Sequence, residues 1–217
     1  MKIEVKILGS NIILLVFNSR RDVSSTLLRF QEYYESPEFK NKFFSLKEFK
    51  TWYIKNSKDG KRNKKFTYYE DWGGFNIPGE SFKPFLLGRF DPLTAKEKRI
   101  LEIVRGVNNP FYVIGVFGDG NVVKKHFIDH ELKHALFYTN AEYKKEVLAV
   151  LSGHNFSEVE KKLGNKGYNK SVFIDEIHAY ATDSSQSLRL LMDKKMREQL
   201  ESIFLRYEKG LSGLENF

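Results

Sequence analysis

Two histidines four residues apart, with a glutamate beside the first, form the clearest chemical pattern in the chain. They lie in the run His130-Glu131-Leu132-Lys133-His134. On an α-helix, positions i and i+4 share one face, so both imidazoles could bind one metal ion. The adjacent glutamate could accept a proton from a water molecule that the metal acidifies. The pattern therefore predicts a metal-dependent hydrolytic site with Glu131 as its base.

Zinc is the metal that this set of residues favours. The chain has no cysteine, so thiolate ligands are excluded and the metal must be held by histidine and carboxylate groups. Catalytic zinc sites use three protein ligands and keep one position open. A third ligand must therefore come from elsewhere in the sequence.

The favoured third ligand is Glu176, which lies in the apolar run VFIDEIHAYA. A carboxylate on an apolar helix face requires a cation, and Zn²⁺ would supply one. Other ligands stay open: His178 has suitable chemistry, and Glu142 follows the histidine pair closely. His126 could support the site from just before the pair, whereas His154 has the surroundings of a loop residue.

The predicted site also requires supporting polar groups. Asp175 or Asp129 could accept a hydrogen bond from a ligand histidine and fix its orientation. A tyrosine hydroxyl could stabilise a developing oxyanion. Three tyrosines are near in sequence, namely Tyr138, Tyr168 and Tyr180, and the last is favoured because it shares a helix face with the favoured third ligand.

The run HELKHALFY resembles the active-site helix of zincin zinc metallopeptidases. In that superfamily the two histidines bind zinc and the glutamate is general base and proton shuttle, which implies these roles for His130, His134 and Glu131. The glycine and histidine that continue the metzincin motif are absent. The resemblance is therefore to gluzincins, whose third ligand is a later glutamate, although Tyr180 replaces the acid that usually follows that ligand by four positions.

This resemblance implies a peptidase that acts on a peptide or protein substrate. It also implies an edge strand that pairs with extended substrate; the strand 112–116 before the motif fits this feature, although the sequence does not show whether it lies at an edge. A second interpretation is a regulatory protease resembling the ImmA/IrrE group, whose substrates are specific DNA-bound regulators. That group joins a similar motif to an acid followed by an alanine-aromatic pair, as in Glu176 with Ala179-Tyr180. A third interpretation is a non-catalytic zinc-binding or interaction protein.

Hydrophobic periodicity and turn signals predict an α+β protein with a mainly helical C-terminal half. The resemblance implies a zincin-like arrangement, in which a small mixed sheet lies beside the active-site helix. Polar or glycine-rich composition predicts loops at 56–65 and 71–79. Strands are predicted at 2–8, 11–17, 66–69, 111–117 and, after an Asp119-Gly120 turn, from Val122. Helices are predicted at 23–34, 45–54, 94–104, 128–138, 141–151, 157–163, 171–182 and 184–205.

Two regions are predicted, although they could form one continuous domain. Residues 1–107 form an α+β region without an assignable motif. Residues 108–217 form the zincin-like catalytic region.

The net charge of +8 is concentrated in residues 40–65, which hold ten basic and two acidic residues. Such a segment could contact nucleic acid or an acidic partner, but a solvated surface is the favoured interpretation. The apolar run 7–17 is interpreted as two strands because Glu4 and Lys6 precede it and no small-residue cleavage site follows. We therefore expect a cytoplasmic protein without membrane association.

Overall fold

Four strands form a mixed sheet at the centre of the protein. The computed structural model describes residues 2–118, 125–166, 168–183 and 187–214, except for the side chains of 125–127. The strands are β1 (Ile3–Leu8), β2 (Ile12–Phe17), β3 (Gly74–Pro78) and β4 (Tyr112–Phe117). Their spatial order is β1-β2-β4-β3. Strands β1 and β2 form an antiparallel hairpin, β4 runs parallel to β2, and β3 lies antiparallel to β4 at an edge.

Helices surround this sheet, which confirms the predicted α+β class. No helix in the described ranges is both long enough and apolar enough to cross a membrane. Short 3₁₀ helices occur at Gly79–Phe82, Lys170–Val172 and Ser187–Leu191. The α-helices are α1 (Arg20–Glu35), α2 (Leu46–Asn56), α3 (Lys58–Asn63), α4 (Tyr68–Asp71), α5 (Lys83–Leu86), α6 (Ala95–Val104), α7 (Lys125–Thr139), α8 (Ala141–Leu151), α9 (Ser157–Lys166), α10 (Phe173–Ala181) and α11 (Lys194–Glu208).

The sheet separates two hydrophobic cores, because alternate residues of a strand point to opposite faces. Ile13 and Leu15 of β2 face the core that is built mainly by residues before 108. Ile12 and Leu14 face the core that is built with α7, α8, α10 and α11. The predicted regions 1–107 and 108–217 thus cover opposite faces of one shared sheet, with β4 inserted between strands of the first region.

Two of the predicted helices, at 45–54 and 94–104, begin at capping boxes. Ser45 accepts a hydrogen bond from the Glu48 amide, and the Glu48 carboxylate accepts one from the Ser45 amide. Thr94 and Glu97 make the same reciprocal pair at the start of α6. These bonds satisfy amides that have no partner inside the helix, which fixes where α2 and α6 begin.

Several local predictions are wrong. The predicted strand at 66–69 is replaced by α4, and the predicted loop at 56–65 contains α3. Helix α3 forms because Ser57 ends α2 and its side chain also accepts the Gly60 amide hydrogen bond. In the described part of the predicted helix at 184–205, a 3₁₀ turn is followed by α11, which starts after the Asp193 cap. The predicted turn at Asp119-Gly120 and the strand from Val122 lie outside the described residues.

The strand before the histidine pair is central, with β2 and β3 on its two sides. The edge strand beside α7 is β3, which comes from the glycine-rich segment 71–79 that was predicted to be a loop. The strand that the resemblance implies as the substrate-pairing edge is therefore in the wrong position, and β3 occupies the edge instead.

Candidate metal centre

Helix α7 brings the two histidines of the motif together. His130 Nε2 and His134 Nε2 are 3.4 Å apart. Two nitrogens bound to one tetrahedral zinc ion at about 2.0–2.1 Å are separated by roughly 3.3–3.4 Å. The His134 side chain is buried, whereas the His130 side chain remains 15% exposed. The pair therefore has the spacing that a shared metal ion requires, with its first member at the more accessible end.

Helix α10 brings Glu176 to the same place. Its Oε1 atom lies 3.8 Å from His134 Nε2, and ligand atoms of His130, His134 and Glu176 all fall within 4.8 Å of one another. The helix is held against α7 by its apolar residues, including Ile177 and Ala181, which belong to the core on this face of the sheet. The structure thus assembles the three predicted ligand residues from two helices.

Each histidine turns its other ring nitrogen towards a carboxylate. His134 Nδ1 lies 2.9 Å from Asp175 Oδ1, and His130 Nδ1 lies 3.3 Å from Asp183 Oδ2. A proton on each Nδ1 would interact with these acids and leave the Nε2 lone pairs directed at each other. The carboxylates therefore favour the tautomer in which both Nε2 atoms can bind a metal.

Charges within the cluster depend strongly on one another. Burial by itself lowers the pKa of His134, but the negative charges of Asp175 and Glu176 outweigh burial and raise that pKa to about 10. Burial raises the pKa of Glu176 to about 8, although His134 opposes this shift. Within the described residues, no lysine or arginine forms an ion pair with Asp175 or Glu176. The buried acids thus lack a permanent cation.

The chemistry of the donor set fits a divalent cation. Glu176 Oε2 is buried without a hydrogen-bond partner, and an unpaired buried carboxylate oxygen is costly. Two imidazoles and one carboxylate are a common ligand set for catalytic zinc. Zinc would therefore satisfy the unpartnered oxygen and neutralise the carboxylate at the same time.

Glu131 extends from α7 towards the edge strand β3. Its Oε2 atom accepts a 2.8 Å hydrogen bond from Asn76 Nδ2, and the Tyr112 hydroxyl donates a 3.0 Å bond to Asn76 Oδ1. Gly74 permits this approach, because a Cβ atom there would lie 3.0 Å from Glu131 Oε1. The base predicted by the motif is therefore held at a fixed position by a strand and its neighbour.

His178, the alternative third ligand, lies outside the group of ligand atoms. Its ring stacks on Phe137 with a centroid distance of 4.9 Å, and Nδ1 lies 3.4 Å from Asp175 Oδ1. Burial lowers the pKa of His178 to about 3, which keeps the ring neutral. This histidine packs behind the cluster, where it contacts the acid that orients His134.

The remaining predicted candidates fall in different places. Glu142 is exposed in the first turn of α8, and His154 is exposed in the loop after that helix. The side chain of His126 lies outside the described residues. Asp129 is on α7 and lines a cavity beside Lys133. Of the two acids that were predicted to orient a histidine, Asp175 is the one that the structure places against a motif histidine, His134.

Two of the three predicted tyrosines lie beside the cluster. The Tyr180 ring is 5.0 Å from the His130 ring, and its hydroxyl is 3.0 Å from that of Tyr168. Burial raises the pKa of both hydroxyls, so both stay protonated and can donate hydrogen bonds. Tyr138 instead packs against Tyr112, at a centroid distance of 5.4 Å.

The sequence prediction missed two polar residues of this site, Asn76 and Asp183. Asn76 lies in β3, and only the pairing of that strand with β4 brings it to Glu131. Asp183 lies just after α10, where its helical spacing from Glu176 is a local signal that could have indicated it. Both residues contact the predicted motif directly.

No protein-family model matches this chain, and searches of curated proteins and of solved structures find no match. The chemistry assigned to His130, His134, Glu176 and Glu131 therefore depends on their own types and geometry.

Proposed function

We propose that this protein is a zinc-dependent metallopeptidase, with His130, His134 and Glu176 as zinc ligands and Glu131 as catalytic base. The observation that carries the proposal is the convergence of the three ligand atoms within 4.8 Å, with Glu131 on the same helix. The resemblance of the α7 motif to the zincin active-site helix agrees with this assignment. A zincin-like fold is part of the same proposal.

The chain's own residues divide the chemistry between them. When bound, zinc would act as a Lewis acid and acidify a water molecule. Glu131 takes a proton from the attacking water and passes it to the leaving amine nitrogen. Asn76 holds Glu131 in place, while Tyr180, whose ring packs beside that of His130, supplies a protonated hydroxyl for a developing oxyanion.

Substrate approach is limited at the edge strand. The backbone amide of Asn76 donates a 3.2 Å hydrogen bond to Gln31 Oε1. The side chain of Gln31, on α1, therefore already occupies this position of the β3 edge. An extended peptide that pairs with an edge strand needs such amides free. Substrate therefore pairs with β3 at this point only if Gln31 moves aside.

The decisive experiment combines metal analysis with hydrolysis by a Glu131→Gln variant. We expect purified wild-type protein to bind about one zinc ion and to cleave members of a peptide library, detected by mass spectrometry. The Glu131→Gln variant should keep the zinc and lose at least ~10²-fold in rate. The matched control is Glu142→Gln, an exposed glutamate on α8, which should match wild type.

Each outcome has a distinct meaning. Wild-type protein that binds no zinc would remove the proposal. Zinc binding without hydrolysis would favour a non-catalytic zinc protein, an alternative that the burial of His134 and Glu176 supports. Closed, buried ligand sets are typical of structural zinc sites.

Exposed lysines support the regulatory-protease alternative. Helices α2 and α3 expose Lys47, Lys55, Lys58 and Lys61, none of which forms an ion pair with a described acid. This surface could dock a substrate that is bound to nucleic acid. If it does, binding of a DNA duplex should weaken steeply between about 50 and 200 mM salt. Absence of binding, or binding that salt does not affect, would exclude a nucleic-acid partner.

A further inference from the structure

Buried polar atoms without hydrogen-bond partners occur in two places in the described part of the chain. One group belongs to the candidate metal centre and its surroundings. The other consists of Thr182 Oγ1, Arg189 Nε and Arg197 Nε, which belong to three residues lining a single cavity of about 560 Å³. Because buried polar groups are normally satisfied, this second group also indicates a missing ligand.

Three structural elements supply the cations of this cavity. Lys133 comes from α7, Arg189 from the 3₁₀ turn Ser187–Leu191, and Arg197 from α11. Lys133 is 3% exposed, and its ammonium group lies 4.6 Å from the centre of the Phe204 ring. The cations therefore converge from separate parts of the chain on one partly enclosed space.

Four acidic and four basic residues of the described ranges line the cavity, but none of these acids pairs with an arginine. Among the described residues, neither arginine forms an ion pair. Glu198 lies 3.7 Å from Lys194, and Asp183 contacts His130. Glu201 and Asp129 also line the cavity, and their charges act on Lys133. Both arginines thus line the cavity, and each has a buried Nε–H group without a hydrogen-bond partner.

We propose that this cavity binds a small organic anion through a phosphate or carboxylate group. A guanidinium group presents Nε–H and Nη–H donors as a planar fork that matches these oxyanions. Lys133 adds charge and the Thr182 hydroxyl adds a donor. The cavity lies within the common size range of small-molecule sites, and its acidic residues can accept hydrogen bonds from hydroxyl or amino groups on the ligand.

The anion site is separate from the reaction side of the candidate metal centre. Asp183 lines the cavity and contacts Nδ1 of His130, whereas the metal-facing atom is Nε2. The cavity therefore lies behind this histidine. Its ligand does not need to be a substrate, and anion binding should persist in a Glu131→Gln variant.

Calorimetric titration with sodium phosphate and with sodium succinate tests this proposal. We expect wild-type protein to bind at least one of the two anions with a Kd below about 10 mM. Arg189→Gln and Arg197→Gln should each raise that Kd at least ~10-fold. Binding of phosphate alone would assign the site to phosphate esters, and binding of succinate alone would assign it to carboxylates. The matched control, Arg99→Gln, removes an exposed arginine that pairs with Glu102 and should bind like wild type.

The Arg197→Lys variant separates loss of the fork from loss of folding. This variant keeps the positive charge, and its circular dichroism spectrum should match that of wild type, which shows that it is folded. It should still bind the anion more weakly than wild type. If neither anion binds wild-type protein, or if the folded arginine variants bind like wild type, the proposal is overturned.

Discussion

Both faces of the sheet bury charged side chains, but they satisfy them differently. On the N-terminal face, Arg29 Nε and Nη2 each donate a 2.6 Å hydrogen bond to the Glu97 carboxylate. Arg29 Nη1 also donates to the carbonyl of Phe90, and Glu97 accepts the Thr94 amide at the start of α6. On the C-terminal face, the His130–His134–Glu176 cluster leaves polar atoms of buried residues without partners.

This difference separates a structural role from a ligand-binding role. An ion pair in which each charge has hydrogen-bond partners needs nothing from outside the chain. A cluster of acids and imidazoles with an unpartnered carboxylate oxygen is stable only if a cation or protons compensate it. Burial of charge alone therefore does not indicate a functional site, whereas incomplete pairing of that charge does.

The largest expected effect comes from breaking the complete pair. Glu97→Ala leaves the Arg29 charge buried without its partner, and we expect a loss of about 3–5 kcal/mol in unfolding free energy by urea denaturation. The control is Glu102→Ala, an exposed acid on the same helix that pairs with Arg99 and should change stability by less than about 1 kcal/mol. Equal losses in the two variants would show that Arg29–Glu97 does not behave as a buried pair.

Zinc should stabilise the incomplete cluster. At a free zinc concentration of 100–1,000 times Kd, we expect wild-type unfolding free energy to rise by about 3–4 kcal/mol, and a chelator should reverse the gain. His134→Ala should lose most of this gain, because it removes a ligand. Glu142→Gln, on the neighbouring helix, should keep it. A zinc-induced gain that survives His134→Ala would assign the metal to another site.

Removing an orienting carboxylate should have an intermediate effect. Asp175→Asn and Asp183→Asn each weaken the interaction that turns Nε2 of a histidine towards the metal, so we expect zinc affinity to fall about 10–100-fold. A competitive chelator titration measures this change, with Asp59→Asn on α3 as control. Unchanged affinity in both variants would limit these acids to a packing role.

A further, pH-dependent effect concerns Glu32 on α1, whose carboxylate takes up a proton in the folded state. Burial raises the pKa of Glu32 from 4.5 to about 7, although hydrogen bonds with Tyr68 and Ser36 oppose the shift. Between these pH values the folded state holds more protons than the unfolded state. The contribution of Glu32 to stability should therefore be largest below pH 4.5 and fall as pH rises towards 7.

The Glu32→Gln variant isolates this contribution. The stability difference between the variant and wild type, measured by urea denaturation, should change in favour of the variant by about 3 kcal/mol from pH 4 to pH 8. Glu38→Gln, which changes an exposed acid, should show no such pH-dependent difference. A Glu32→Gln difference that is independent of pH would mean that Glu32 has the same pKa in the folded and unfolded states.

Local chemistry made the centre of the site predictable. The i, i+4 spacing of His130 and His134 determines their shared face once the segment is helical, and α7 is helical. Glu176 could be predicted because a carboxylate within an apolar run is costly without a cation. The two capping boxes also fixed helix starts from a few neighbouring residues.

The parts that sequence reasoning missed depend on distant contacts. Asn76 reaches Glu131 only because β3 pairs with β4, and no spacing in the sequence encodes that neighbour. Strand β3 itself forms from a glycine-rich segment, since pairing with β4 overcomes its weak intrinsic preference. The start of α3 depends on one serine that serves two helices, which composition does not reveal.

The position of β4 has a consequence for how the chain acquires its structure. Because β4 lies between β2 and β3, the native sheet cannot close before residues 112–117 leave the ribosome. Until then, β2 and β3 each lack the strand with which they pair on this side in the native sheet. Unpaired strand edges promote association between nascent chains. The first half of the protein is therefore expected to be most dependent on chaperones just before β4 is synthesised.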